Sequence, residues 1–302
     1  MTAGNPNVWT IAKPHFVAII AMIIICTAYF FPQLQGKKIQ AGDAISSTAW
    51  SSEVLDFGER EGRTIRWNNA IFSGMPWGLL SLGVQYNLTK YAVPVFQAGF
   101  KGPLGLTIRC ALICYLALIL LGVSPWLAVI GSLGFAINVN FIVLLDAGHH
   151  SKLAVISNFP LIVAGVILCF RQQFILGACA IAFASSLAIL GNHIQMVYYL
   201  LLSLVVFALS FLVHAIRKGE LKEFAMASGV ALGAALLAGL ANFAQLSSSK
   251  DYADDTMRGE PILAKETEVA TSSSEVEGLE WNYAMSWSNE LTDVLSILVP
   301  RI

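Results

Sequence analysis

Long apolar runs separated by short polar connections make up most of this sequence. Seven of these runs are long and apolar enough to be interpreted as membrane-spanning helices. They cover residues 16–31, 104–123, 126–145, 153–170, 174–190, 196–216 and 224–243. Most of the connections are too short for parallel neighbours, so successive helices must run antiparallel. The pattern predicts an all-α polytopic membrane protein with about seven transmembrane helices.

The first run, residues 16–31, is shorter than the roughly 20 residues of a comfortable span, so a cleaved signal peptide is the alternative. No small-x-small cleavage motif follows it directly, and we therefore predict a retained helix. A long loop, residues 33–103, precedes the second run and is predicted to carry short helices. Its most charged part, 53–66, indicates a surface helix. Its semi-apolar part, 75–100, indicates an interfacial or re-entrant segment.

The composition agrees with a lipid bilayer as the solvent for much of the chain. Hydrophobic residues make up 56% and charged residues 12% of the sequence, and the mean hydropathy is +0.68. A soluble domain of this size could not bury so much apolar side chain. The five cysteines lie in apolar runs without metal-binding spacing, as small hydrophobic residues do. We predict the bilayer, and no nucleic acid, as a partner.

Basic residues in the connections predict how the helices are oriented. The segments that become cytoplasmic when the N-terminus is cytoplasmic carry five of them: Lys13, Arg171, Arg217, Lys218 and Lys222. The two short connections on the outer side hold only Lys152 between them. This orientation places four polar segments outside, namely the loop 36–76, residues 146–152, residues 192–195 and the tail after 245. We expect them to form one active site.

Several polar residues in these segments are candidates for chemistry, and each has a plainer alternative. Asp43 is either a functional carboxylate or an ordinary loop residue, and His193 is either a ligand contact or an interfacial histidine. Asp146 either belongs to a site or pairs with Lys152 to cap a helix hairpin. The His149–His150 pair suggests a divalent metal, but metal ligands on a helix usually lie three or four residues apart. We therefore predict neither a metal nor another cofactor.

Seven short motifs follow one another in a recognisable order. They are GD at 42–43, WNNAIFSGMP at 67–76, DAGH at 146–149, GNHIQMVYY at 191–199, MRG at 257–259, YAMSWS at 283–288 and ILVP at 297–300. This series closely resembles the YfhO family of bacterial membrane proteins, and the resemblance covers nearly the whole chain. Each motif is weak alone, but seven in the same order make a specific pattern.

The resemblance implies a GT-C type glycosyltransferase in the bacterial inner membrane, with residues 1–243 as its transmembrane module and 244–302 as an extracytoplasmic segment. Such enzymes transfer a sugar from a polyprenyl-phosphate donor to a cell-envelope acceptor on the outer face. In related enzymes an acidic residue of the first outer loop is thought to be the catalytic base, and Asp43 is the matching position. Family members continue beyond the ILVP motif, so the resemblance implies that this chain is a truncated form.

The resemblance and the predicted sidedness together suggest further roles. The departing lipid phosphate needs cationic or N–H donors, for which the candidates are Lys152, His149, His150 and Arg258. Trp67 and Asn68 are candidates for stacking on a sugar ring and hydrogen bonding to it. The other predicted substrate-binding residues are Asp146, Asn192, His193 and Gln195.

Two alternative functions belong to other classes. A lipid-linked sugar transporter or flippase would use the same polar groups, but it requires inverted repeats and broken helices, and the sequence indicates neither. A non-catalytic envelope assembly protein is the other alternative. The enzyme hypothesis expects Asp43, His149 and His193 to converge on one outer cavity. The transporter hypothesis expects polar groups along a path through the bundle.

Overall fold

The computed structural model describes residues 7–63, 65–80, 87–253, 281–286 and 288, and their regular structure is almost entirely helical. The chain divides into two units, Met1–Leu246 and Ser247–Ile302. A short antiparallel hairpin pairs β1 (Trp67–Asn68) with β2 (Met75–Pro76), and a 3-10 turn covers Leu88–Tyr91. The helices are, in chain order, α1 (Val8–Tyr29), α2 (Phe31–Leu34), α3 (Gly42–Glu61), α4 (Trp77–Leu80), α5 (Ala92–Phe96), α6 (Gly102–Leu120), α7 (Pro125–Ala136), α8 (Val139–Ala147), α9 (His150–Ile156), α10 (Phe159–Phe170), α11 (Phe174–Leu190), α12 (Ile194–Lys218), α13 (Leu221–Ala241), α14 (Phe243–Ala253) and α15 (Trp281–Met285).

Five helical stretches in the described part of the chain are long and apolar enough to cross a membrane: α1, α6, α9 with α10, α12 and α13. The pair α7 and α8, bent by 42°, becomes a sixth if it is counted as one span. The run predicted at 174–190 is helix α11, but its 17 residues are fewer than the roughly 20 that a straight crossing needs. The fold is therefore an all-α polytopic membrane protein with five or six full-length spans among the described residues.

The bend between α7 and α8 is built around Asn138. Its side-chain Nδ2 donates to the carbonyl of Phe135 at 2.6 Å, and its Oδ1 accepts from the backbone N–H of Phe141 at 3.0 Å. One side chain thus caps the end of α7 and the start of α8, which lets the helix break within an apolar stretch. The expectation that the sequence contains no broken helices was wrong at this point.

The centre of the bundle is formed by α6 and by α9 with α10. Helix α6 packs against α1, α7 and α10, whereas α11 packs against α10 and α13. In α6 and in α9 with α10, 67% of the most apolar stretch is buried, compared with 17% in α1 and 0% in α12. Leu202, Val206 and Leu209 on α12 are exposed. The outer helices therefore present apolar side chains outward, as helices do when lipid is their solvent.

Several polar connections of the first unit gather at one end of the bundle, which we call the site end. Gln33, after α1, bonds the carbonyl of Lys101 at 2.8 Å and the N–H of Leu104 at 3.1 Å, at the start of α6. The side chain of Gln245 donates to that of Asn192 at 2.7 Å, between α11 and α12. The site end thus contains the described residues of the loop 33–101 and the connections at 146–152 and 191–195. The polar residues at this end are therefore the candidates for a functional site.

Candidate functional site

Asp43 lies in the first turn of α3, on a helix rather than in a loop. Helix α3 begins at Gly42, well before the surface helix predicted at 53–66. Its first half is rich in serine and threonine, which are weak helix formers. Their hydroxyls donate back to helix carbonyls, as Thr48 does to Ala44 at 2.9 Å and Ser51 to Ser47 at 2.6 Å. At this position the positive end of the helix dipole favours a negatively charged Asp43 side chain.

Asp43 pairs with His149 of the DAGH motif. The distance between Oδ2 of Asp43 and Nε2 of His149 is 3.0 Å, and their side chains are 66% and 37% exposed. Gly148 permits this approach, because a Cβ atom there would lie 2.9 Å from the backbone nitrogen of Ala44. Its φ of 88° also turns the chain sharply after α8. The GD and DAGH motifs, far apart in sequence, therefore meet in a pair that a ligand can reach.

His193, immediately before α12, lies near the same pair. Its pKa is lowered from the ordinary value, first by burial, then by the positive charge of Lys152, with a smaller effect of His149. Helix α9, which follows His149, contacts α12, which follows His193. Asp43, His149 and His193 thus share one region of the site end. A cavity there is lined by His150 and Gly191, whereas Asp43, His149 and His193 are not among its lining residues.

Asn192 joins three segments of the site end, in a left-handed backbone conformation with φ of 55°. Its Nδ2 donates to the carbonyl of Leu79 at 2.7 Å, and its Oδ1 accepts from Nε2 of Gln245 at 2.7 Å. Gln195 lies on the first turn of α12, where its Nε2 donates to the hydroxyl of Tyr199 at 2.6 Å. Asn192 therefore holds the loop to the helix ends. Substrate binding by these two residues stays a prediction.

The hairpin of β1 and β2 turns Trp67 outward and Asn68 inward. Asn68 is 1% exposed, and its side chain donates to the carbonyl of Trp50 and accepts from the N–H of Ala70, both at 2.8 Å. These bonds attach the hairpin to α3. Trp67 is 46% exposed, and its ring covers Gly74, where a Cβ atom would lie 2.5 Å from Nε1. Trp67 therefore offers a surface for stacking, while the amide of Asn68 is engaged within the loop.

The remaining predicted residues are Asp146, Lys152 and Arg258. Asp146 is exposed at the end of α8, and Lys152 is partly buried in α9. Within the described ranges the two form no ion pair, which argues against the hairpin-capping alternative. Arg258 lies outside the described residues. The same part of the chain contains no group of three His, Cys, Asp or Glu side chains that could hold a metal ion.

Two adjoining cavities at the site end share His150 and Gly102 in their walls. We call them the Arg109 cavity, of about 380 Å³, and the lysine cavity, of about 770 Å³. Their basic lining residues are Lys90, Arg109 and His150 in the first, and Lys37, Lys38, Lys101 and His150 in the second. Neither lining contains an aspartate or a glutamate. Both cavities therefore suit an anion.

Arg109 is a candidate that the sequence analysis missed. It lies within the apolar run 104–123 on α6 and is 3% exposed. Its Nη2 donates to Oδ1 of Asn158 at 3.3 Å, and its Nε has no hydrogen-bond partner. A charged residue within a membrane span is a functional candidate by default, so the signal was present in the sequence.

No protein-family model, curated protein or solved structure matches the chain. The fold and the geometry define an all-α membrane protein whose polar residues meet at one end, around a carboxylate–histidine pair and two cavities with cationic linings. The resemblance to the YfhO family stays a prediction.

Proposed function

We propose that this protein is a membrane glycosyltransferase that transfers a sugar from a polyprenyl-phosphate donor to an acceptor of the bacterial cell envelope. The observation that carries the proposal is the Asp43–His149 pair. His150, which follows His149 in the sequence, lines both cavities. A carboxylate within reach of an acceptor hydroxyl can act as a general base. Cations nearby can stabilise the charge of a departing lipid phosphate. The site end offers both groups in one place.

In the proposed reaction Asp43 accepts the proton of an acceptor hydroxyl as its oxygen attacks the anomeric carbon of the donor sugar. The new carbon–oxygen bond forms while the bond between the anomeric carbon and the phosphate oxygen breaks. The lipid phosphate leaves with the electron pair of that bond. His149 donates its Nε2–H to Oδ2 of Asp43, which orients the carboxylate and leaves Oδ1 to receive the proton.

The substitution Asp43→Asn tests this role. Asparagine keeps the size of the side chain but cannot accept a proton at neutral pH. We expect sugar transfer to fall by about 10²–10⁴-fold, the usual loss for a general base. Transfer is measured in membranes supplied with a series of prenyl-phosphate sugars and an envelope extract as acceptor, at matched expression. Asp56→Asn, at an exposed position of the same helix, is the control.

Only a loss specific to Asp43 supports the proposal. Transfer by Asp43→Asn at the wild-type rate excludes Asp43 as the base, and an equal loss in Asp56→Asn assigns the effect to α3 rather than to the carboxylate. Thermal unfolding of both variants should match the wild type, because each is an isosteric change at an exposed side chain.

A lipid-linked sugar transporter is the second candidate, and the bend of 42° between α7 and α8 favours it. Transporters commonly build their sites from broken helices. The two functions differ in their need for an acceptor. A transporter moves a prenyl-phosphate sugar across a proteoliposome membrane without any acceptor and keeps this activity in Asp43→Asn. A glycosyltransferase yields a glycosylated acceptor and requires Asp43.

A further inference from the structure

Arg109 is a buried cation for which the described part of the protein supplies no carboxylate. Its side chain is 3% exposed, its Nε has no hydrogen-bond partner, and the ion pair found among the described residues is that of Asp43 with His149. Burying an unpaired charge is costly, and buried charges in proteins are ordinarily paired. The arrangement therefore calls for an anion that comes from outside the described part of the chain.

A neutral amide holds the guanidinium in place. Asn158 lies in the break between α9 and α10 and is 0% exposed. Its Nδ2 donates to the carbonyls of Ala154 at 2.8 Å and Val155 at 3.2 Å, which turns Oδ1 toward Nη2 of Arg109. An amide oxygen can orient a guanidinium but carries no charge to neutralise it. Arg109 is thus positioned as a cation whose charge no carboxylate of the described residues compensates.

The cavity that Arg109 lines has the character of a site for a charged group attached to an apolar chain. His150 lines the same cavity, and its Nε2 is buried and has no hydrogen-bond partner. The other walls include apolar side chains such as Val93, Leu106 and Leu187. Arg109 lies seven residues after the start of α6, about 10 Å along the helix at 1.5 Å per residue. The lysine cavity adjoins this site.

We propose that the Arg109 cavity, together with the adjoining lysine cavity, binds a phosphate-class anion whose main contact is the Arg109 guanidinium. A guanidinium offers two parallel N–H donors to a phosphate, and further cations nearby add to the attraction. The apolar walls favour a phosphate carried on a lipid. This choice of source rests on the proposed function, whereas the anion site itself does not, because it makes no use of Asp43.

The test is a binding measurement on the full chain in nanodiscs of neutral phosphatidylcholine at fixed ionic strength. The probes are farnesyl phosphate, its uncharged counterpart farnesol, and inorganic phosphate. We expect farnesyl phosphate to bind, farnesol not to bind, and Arg109→Met to weaken binding of the phosphate at least about tenfold. The ligand-free Arg109→Met protein should melt no lower than the wild type, because an unpaired buried charge has been removed.

If Arg109 had only a structural role, Arg109→Met would melt at a lower temperature than the wild type, and the wild type would not bind farnesyl phosphate. Arg171→Met is the matched control, because Arg171 is exposed and donates to the carbonyl of Leu121, remote from both cavities. If Arg109→Met does not fold, Lys101→Gln at the exposed rim should still weaken binding several-fold.

The outcomes separate the possibilities. Inorganic phosphate that binds as tightly as farnesyl phosphate assigns the site to free phosphate. Equal binding by wild type and Arg109→Met, or no binding of either phosphate by the wild type, overturns the proposal. Loss of binding in Arg109→Met together with no sugar transfer by the wild type leaves the anion site standing while the proposed function fails.

Discussion

Replacing Gly148 with alanine tests whether the fold itself positions the Asp43–His149 pair. Gly148 has a φ of 88° at the end of α8. An added Cβ atom would lie 2.9 Å from the backbone nitrogen of Ala44 and 3.1 Å from the Cβ atoms of Ala41 and Asp43. These atoms are fixed to the backbone and cannot rotate away. The first turn of α3 must therefore shift away from α8, and Asp43 shifts with it.

The size of the effect has two parts. Holding alanine in the left-handed conformation costs roughly 1–2 kcal/mol relative to glycine. Forcing an extra carbon into a filled contact costs typically about 1–3 kcal/mol. Gly62→Ala separates them, because Gly62 has a φ of 66° with no neighbouring atom within 4 Å of the added carbon. Gly62→Ala therefore has only the conformational cost. The difference in unfolding free energy between the two variants measures the steric cost of the contact between residue 148 and α3.

Two measurements report on the result. Thermal unfolding in the same detergent should place Gly148→Ala below Gly62→Ala. Hydrogen exchange should be faster in the first turn of α3, where Ile45 N–H donates to the carbonyl of Ala41 at 3.0 Å, in Gly148→Ala only. If both variants unfold at the same temperature and exchange alike in this turn, the contact of Gly148 with α3 does not position the pair.

Two further predictions concern pH and orientation. Burial and the charge of Lys152 lower the pKa of His193 below its usual 6.5, so the unfolded chain binds a proton more readily and stability falls as the pH drops below about 6.5. His193→Gln should remove this part of the fall, as measured by thermal unfolding against pH, and an unchanged profile would contradict it. In a Cys179→Ser background, an impermeant thiol reagent on intact cells should label Ser52→Cys but not Glu220→Cys. The reverse labelling would contradict a cytoplasmic N-terminus.

The positions of the helices were largely predictable from hydropathy, because in lipid a long apolar run has few alternatives to a helix. The breaks within the helices were not predictable from hydropathy. Asn138 breaks a helix through two hydrogen bonds of its side chain, and hydropathy does not register such geometry. The early start of α3 was missed because serine and threonine have weak helix propensity. In this helix, hydroxyls of both residue types donate hydrogen bonds to backbone carbonyls one turn earlier.

For the site, the sequence predicted which end of the bundle carries the candidate residues, but it did not predict the contacts between them. Antiparallel helices place residues 42–43 and 146–149 at one end, but the pairing of Asp43 with His149 depends on the turn at Gly148. Asn68 looked free to bind a sugar because nothing in the local sequence shows its bond to Trp50. Arg109 was overlooked for a different reason. The motifs drew attention to the connections, whereas the informative residue was a charge inside an apolar run.

The basic residues at the two ends of the bundle have different physical explanations, and this difference bears on orientation. At the site end, Lys37, Lys38 and Lys101 line a cavity whose lining contains no carboxylate, and the proposed anion would account for them. At the other end, Arg217 and Lys218 occupy the exposed last turn of α12. Lys37, Lys38 and Lys101 also belong to the long loop 33–101, and the positive-inside rule gives little weight to long loops. Arg217 and Lys218 are therefore the better guide, and they predict that the site end faces outward, where a lipid-linked sugar could meet an envelope acceptor.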